Sequence, residues 1–223
     1  MKKKKNTKKI ILVFSGGMDS TTLLYYLLKK KFSVEAISFN YGQKHQKELR
    51  SARNICEALK IPFNIINMQF LGNSLNSSLT QAGKKIPNGH YASKNMKSTV
   101  VPNRNLIMTS IANAIGLSRG IKKIALAVHA GDHAVYPDCR PIFIDSLEET
   151  LIVSSGENVR VLTPFIEMSK SDILKIGLKL DVPYKKTWSC YNGRKKACGK
   201  CGTCIERLEA FKDNNAIDLL KYE

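Results

Sequence analysis

The sequence predicts an α/β protein built on a doubly wound, mostly parallel sheet. Three observations predict it. Short apolar runs suited to buried strands alternate with stretches whose apolar residues recur at helical spacing. The first run, IILVF, passes directly into the glycine-rich turn SGGMDS and then into TTLLYYLL, the order strand, tight turn, helix. No apolar run approaches the roughly 18 residues of a membrane span, so the 223 residues, 43% of them hydrophobic, are expected to bury one substantial core of their own.

Taken in order, Ile10 to Phe14 is a continuous apolar run suited to a strand covered on both faces. Thr21 to Lys31 follows as a helix with Leu23, Leu24, Leu27 and Leu28 on one side. Val34 to Phe39 and Phe63 to Met68 read as the next two strands, and between them Leu49, Ala52, Ile55, Cys56 and Leu59 form a helical stripe. Arg104 to Leu117 reads as a helix, Ile124 to Val128 as a strand, Phe143 to Val153 as a helix and Val159 to Thr163 as a short strand. Ser169 or Ser171 then caps a helix through Leu180. The polar stretch from Leu71 to Asn103, rich in Asn, Ser, Gly and Lys, breaks the alternation. Its length is that of a binding lid or a disordered insert.

The formal charge of +18 is the footprint expected for a polyanionic partner. Lysine outnumbers arginine, however, and the basic start MKKKKNTKK reads as a solvated tail. Phosphate recognition favours the forked guanidinium, so nucleic acid is not expected as a partner. That start runs straight into a strand without the apolar stretch of a signal peptide, which points to the cytoplasm.

The opening turn carries chemistry. A helix N-terminus at the carboxyl end of a strand gathers unpaired N–H groups and the positive end of the helix dipole. Gly16 and Gly17 permit close backbone approach and φ > 0, while Ser15, Ser20 and Thr21 add hydroxyls, so the turn reads as a phosphate cradle. No G-K-[ST] follows and the spacing is not G-x-G-x-x-G, which excludes the kinase-type and dinucleotide loops. Asp19 would repel phosphate unless Mg²⁺ bridges the two or its carboxylate caps backbone N–H groups.

Six cysteines are present, and four of them, Cys190, Cys198, Cys201 and Cys204, form a C-x7-C-x2-C-x2-C array. In a chain with no leader signal this argues for metal rather than disulfides. Four thiolates satisfy tetrahedral Zn²⁺ and close its coordination sphere, which makes the site structural; an iron–sulfur cluster is the other occupant four cysteines can hold. Cys56 lies on an apolar stripe and reads as core.

The string S-G-G-x-D-S after a strand resembles the pyrophosphate-binding loop of the ATP pyrophosphatase, or PP-loop, family. That resemblance implies a sheet of the adenine-nucleotide alpha-hydrolase type, attack on the α-phosphate of ATP, and an ATP-binding stretch formed by Phe14, Ser15, Gly16, Gly17, Met18, Asp19, Ser20, Thr21, Thr22, Leu23 and Leu24. Four further strings, YGQKH at Tyr41 to His45, VPNRN at Val101 to Asn105, HAGDHAVYPDCRPIF at His129 to Phe143 and the cysteine segment, are together similar to the 7-cyano-7-deazaguanine synthase family of the queuosine pathway. The similarity runs from Ile10 to about Phe211 and implies ATP-dependent conversion of 7-carboxy-7-deazaguanine and ammonia to the nitrile. It further implies one structural zinc per subunit, Mg²⁺ with the ATP, and a homodimer. Asn103 stands where that pattern has Gly; Asn is the non-Gly residue that best tolerates left-handed geometry.

On this reading Asp19, Ser20, Arg104 and Asp132 serve catalysis, and Tyr136, Asp138 and Arg140 hold the substrate. Arg104, at a helix start, is suited to a phosphate or the substrate carboxylate. Carboxylates after the fourth strand are suited to the N–H edge of a guanine-like ring. His129 and His133 are weaker candidates, Cys139 reads as a packed thiol, and His45 and His90 receive no role. The expected organisation is a nucleotide-binding unit over 1–185 and a zinc-binding helical segment over 186–223. A tRNA-modifying PP-loop ligase or thiolase is the alternative within the same loop class; a zinc-dependent nucleic-acid module without catalysis leaves the loop unexplained.

Overall fold

Five parallel strands form one sheet in the computed structural model, which describes residues 8–90 and 94–223. Most of the basic tail lies outside these residues. The strands are β1 (Lys9–Val13), β2 (Ser33–Asn40), β3 (Phe63–Asn67), β4 (Lys123–Ala125) and β5 (Arg160–Leu162), in the spatial order β3-β2-β1-β4-β5. Between them run α1 (Met18–Lys29), α2 (Lys47–Leu59), α3 (Gln69–Ser74), α4 (Arg104–Ser118) and α5 (Pro141–Ser155); α6 (Lys170–Lys179) and α7 (Gly202–Asp213) follow.

The double winding follows from the side-chain period of two along β1. Ile10 and Leu12 are fully buried on one face with Leu23, Leu24 and Leu27 of α1, Ala52 and Ile55 of α2, and Ile173 of α6. Ile11, equally buried, points to the other face and packs with Ile37, Ile124, Met108 and Ala112 of α4, and Leu147 and Leu151 of α5. These residues of the two layers fall on the strands and helices expected from the sequence. Gly116 brings α4 close against the sheet: a Cβ there would lie 2.8 Å from the Ile121 carbonyl oxygen and 3.1 Å from Ile11 Cγ1.

The order of strand addition reverses between β1 and β4, the switch point at which the carboxyl ends of two parallel strands leave a crevice. This explains one difference from the sequence expectation. β4 ends at Ala125 rather than Val128: Leu126 N still donates to the Leu162 carbonyl at 3.0 Å, and Leu126, Ala127 and Val128 line that crevice. α1 likewise begins at Met18, three residues before the expected start, since the glycine turn itself closes into the helix.

The stretch from Leu71 to Asn103 differs most. Its described part is packed rather than standing free: Leu79, Met96 and Val101 belong to the main core, and Ser77, Ser78 and Thr99 are buried. Gly89 N donates to the Lys200 carbonyl and Asn88 bridges to Cys201, so the stretch lies against the cysteine segment. Hydrogen bonds among small polar side chains and backbone, such as Leu79 N to Ser77 Oγ at 3.2 Å, replace the apolar periodicity that would have marked it. Asn103 adopts the left-handed conformation, φ 56° and ψ 22°, and serves as N-cap residue of α4.

The candidate active cleft and the cysteine centre

The glycine turn sits at the mouth of the crevice. Gly16 has φ +80°, and a Cβ there would lie 2.5 Å from Ala52 N and 2.6 Å from the Glu48 carbonyl oxygen. Gly16 therefore lets α2 approach the turn, whereas Gly17, with φ −76°, is an extended N-cap residue. Ser15 Oγ lies 3.0 Å from Ser20 Oγ and accepts from Gly17 N at 3.2 Å, which fixes the turn. The first intrahelical bond is Thr21 N to the Gly17 carbonyl. The N–H groups ahead of it face the cleft end of α1 without helical partners, the arrangement that binds an anion.

The rest of the expected ATP stretch does not reach the cleft. Thr21 Oγ1 bonds back to the Gly17 carbonyl at 2.7 Å, and Thr22 Oγ1 to the Met18 carbonyl at 2.9 Å and the Tyr184 hydroxyl at 2.8 Å. Leu23 and Leu24 are fully buried in the core. The correction is one of helical geometry: after Ser20 the side chains turn inward, away from the anion end. Phe14, Ser15, Gly17, Met18, Asp19 and Ser20 line the cleft.

Asp19 is the hub of a charged cluster. Its Oδ2 lies 3.4 Å from Lys170 Nζ and 3.8 Å from His129 Nε2, while Oδ1 is buried with no hydrogen-bond partner among the described residues. Lys170 also meets Glu206 Oε2 at 2.8 Å, and His129 Nε2 lies 3.4 Å from Asp132 Oδ2. Burial alone would lower the Lys170 pKa, but Asp19 and Glu206 outweigh it and hold the ammonium above its ordinary range. Gly131 N donates to His129 Nδ1 at 3.2 Å, so the proton of that imidazole resides on Nε2, facing Asp19 and Asp132. Ser169 and Asp172 form a capping box that sets Lys170 at the first turn of α6. Neither Lys170 nor Glu206 was foreseen: each sits in an ordinary helical stretch, and only the fold brings them to Asp19.

The opposite wall is aromatic and basic. Arg104, at the start of α4, lies 5.8 Å from the Tyr136 ring centre, beside Tyr41 and Tyr191, and no carboxylate among the described residues ion-pairs with it. Tyr136 is buried, its hydroxyl 2.8 Å from Thr99 Oγ1 and 3.4 Å from the Tyr191 hydroxyl; burial raises its pKa. Cys139 lines this wall too, but burial pushes its thiol above the ordinary range, as befits packing rather than nucleophilic attack. Asp138 and Arg140 point elsewhere. Asp138 Oδ2 accepts from Asn105 N at 2.9 Å, satisfying a free N–H at the start of α4, and Arg140 is exposed with Nε donating to the His133 carbonyl. The turn that displays Tyr136 uses its other polar residues to hold itself.

The four cysteines of the C-terminal array are buried with their sulfurs within 4.8 Å of one another. Cys198 Sγ accepts from Cys201 N at 3.3 Å and Lys200 N at 3.4 Å, and Cys190 Sγ from Cys198 N at 3.3 Å. Backbone N–H groups directed at sulfur and four thiols in one small volume fit a four-coordinate metal. Cys201 is the N-cap residue of α7, so the centre anchors the helix that carries Glu206. Tyr222 bridges to Ala197, and Arg207 forms a bidentate pair with Asp218, its Nε 2.6 Å from Oδ2 and Nη2 3.0 Å from Oδ1.

A doubly wound sheet with an anion-binding glycine turn at its switch point defines a nucleotide-binding α/β class. The solved "NMN synthetase from Francisella tularensis" shares the fold, with a TM-score of 0.52 at 14% identity over 95% of this chain and 79% of that one. The chain belongs to the family described as "Queuosine biosynthesis protein QueC", whose sequence model matches residues 9–215. It is similar to proteins named 7-cyano-7-deazaguanine synthase. That of Methanoregula boonei is 47% identical over 86% of this chain and 88% of its own length. That of Hahella chejuensis is 48% identical over 85% and 82%. The synthase reading from the sequence therefore stands, with a role in queuosine biosynthesis. Among the described residues no helix is long and apolar enough to cross a membrane.

Proposed function

We propose that the protein is an ATP-dependent carbon–nitrogen ligase that converts 7-carboxy-7-deazaguanine and ammonia to 7-cyano-7-deazaguanine through adenylated acid and amide intermediates. The observation that carries it is the pairing, across one cleft, of an anion-binding helix start with a guanidinium that has no carboxylate partner among the described residues. The first suits the phosphates of ATP and the second suits the substrate carboxylate.

A carboxylate is a poor acyl donor until its oxygen displaces pyrophosphate from the α-phosphate of ATP. Arg104 orients that carboxylate, and the N–H groups of Met18 to Ser20 with the Ser15 and Ser20 hydroxyls receive the phosphates. Lys170 adds positive charge beside them and is itself held by Asp19 and Glu206. The unpartnered Asp19 Oδ1 fits a Mg²⁺ brought with ATP, with Asp132 nearby across His129. Tyr136 forms the wall against which the deazaguanine ring lies. Bound Zn²⁺ would be held by Cys190, Cys198, Cys201 and Cys204 and supply rigidity rather than chemistry. Residues 186–223 act as one zinc-bound unit on the 1–185 unit, in a homodimer, and nucleic acid is not a partner.

Isotope exchange between pyrophosphate and ATP tests the adenylation step. The expected result is exchange that depends on the 7-carboxylate and falls about 100-fold or more in Asp19→Ala without loss of fold. Carboxylate-independent exchange, or an unaffected variant, would contradict the reading.

A further inference from the structure

We infer that His45 is the proton acceptor for the nitrogen nucleophile, a role that rests on the ligase reading above. His45 is 2% exposed and lines the same cleft as Asp19 and Arg104. Its Nε2 lies 3.1 Å from Glu48 Oε2, so the carboxylate keeps the ring proton on Nε2 and leaves the lone pair on Nδ1. Nδ1 is buried and has no hydrogen-bond partner among the described residues. A buried acceptor with nothing to accept is a seat for a donor that the protein does not supply.

His129 and the Asp19–Lys170–Glu206 cluster already have partners. His129 has spent its Nδ1 lone pair on Gly131 N and points a proton at Asp19 and Asp132. Asp19 and Glu206 are held against Lys170. His45 also stands beside the glycine turn, since Glu48 Oε1 lies 3.8 Å from where a Gly17 Cβ would be, and its ring is 5.3 Å from that of Tyr191. The cysteine segment presses it into place: a Cβ on Gly193 would lie 2.8 Å from the Lys44 carbonyl oxygen and 3.3 Å from His45 Cα.

A base is needed twice. Ammonium loses a proton to His45, and the resulting ammonia forms a C–N bond to the adenylated carboxyl carbon. The C–O bond to AMP then breaks, and the nitrogen passes its extra proton to the phosphate of the departing AMP, giving the amide. After the amide oxygen has displaced pyrophosphate from a second ATP, the activated nitrogen carries two protons; one leaves to His45, which has by then returned its first proton to solvent, and the other to the phosphate of the departing AMP as the C–O bond breaks, leaving the nitrile. No redox partner is required at either step.

Hydroxylamine separates the roles, because it is a neutral nucleophile at neutral pH and needs no deprotonation before attack. His45→Asn is expected to keep carboxylate-dependent ATP–pyrophosphate exchange within about twofold. Amide and nitrile formation from ammonium should fall about 100-fold or more, while hydroxamate formation from hydroxylamine stays near the parent rate. Nitrile formation at the parent rate, or equal loss with both nucleophiles, would overturn the assignment. Should exchange itself fall in His45→Asn, Glu48→Gln gives the same comparison with the imidazole retained: slower with ammonium and unchanged with hydroxylamine, or the inference fails. Absence of carboxylate-dependent exchange in the parent protein would instead overturn the ligase reading.

Discussion

Arg104, half-buried, carries a charge answered by the Tyr136 ring and the neighbouring Tyr41 and Tyr191 rather than by a carboxylate, a state tolerable in a site that receives an anion. Arg104→Lys keeps the charge but loses the planar fork, so KM for the 7-carboxylated substrate is expected to rise about tenfold to a hundredfold in steady-state assays, with KM for ATP little changed. An equal rise for both would assign Arg104 to phosphate instead. Sequence spacing marked Asp19, Ser20, Arg104, Asp132 and Tyr136 because each adjoins a strand end or helix start. Spacing could not separate them from Asp138 and Arg140, whose neighbours in the chain are the same. The distinction lies in a three-dimensional fact, that Asp138 reaches Asn105 N across two elements. At Asn103 the backbone geometry was legible: Asn tolerates the left-handed region, and the residue adopts φ 56°.

At the level of elements, α7 and the segment after it form a clamp. Arg207, nearly fully buried, donates to Asp218, to Thr187 Oγ1 at 2.7 Å and to the Tyr184 carbonyl at 3.0 Å, and Tyr222 donates to Asp218 Oδ2 at 2.6 Å. Burial would raise the Asp218 pKa, but Arg207 and Tyr222 outweigh it and hold the carboxyl below its ordinary range. A depressed folded pKa contributes stability above the unfolded value of about 3.9 and loses it as pH falls through the folded one. Acid unfolding monitored by circular dichroism should therefore begin at higher pH in Asp218→Ala, which is also expected to lose about 3–5 kcal/mol near neutral pH by leaving Arg207 buried and unpaired. An unchanged acid midpoint would refute the clamp. Strands, the stripes of α1 and α2, and the capped start of α6 were legible because their signals are local. The packing of 71–103 was not, because it rests on contacts with the cysteine segment more than a hundred residues away.

For the whole molecule, the four-cysteine centre, the core and the cleft form one chain of support. Cys201 starts α7, Glu206 on that helix holds Lys170, and Lys170 meets Asp19 at the glycine turn. Cys201→Ser should lose bound zinc, measured by atomic absorption, and thermal stability and activity together; a stable, active, zinc-free variant would show the centre to be dispensable. The central claim is that this cleft turns a carboxylic acid into a nitrile. Mass spectrometry of products after incubation with ATP, Mg²⁺, ammonia and 7-carboxy-7-deazaguanine tests it most directly. The 7-cyano product is expected, with the 7-amide as an earlier species. Full recovery of the acid, with neither amide nor nitrile formed, would contradict the claim.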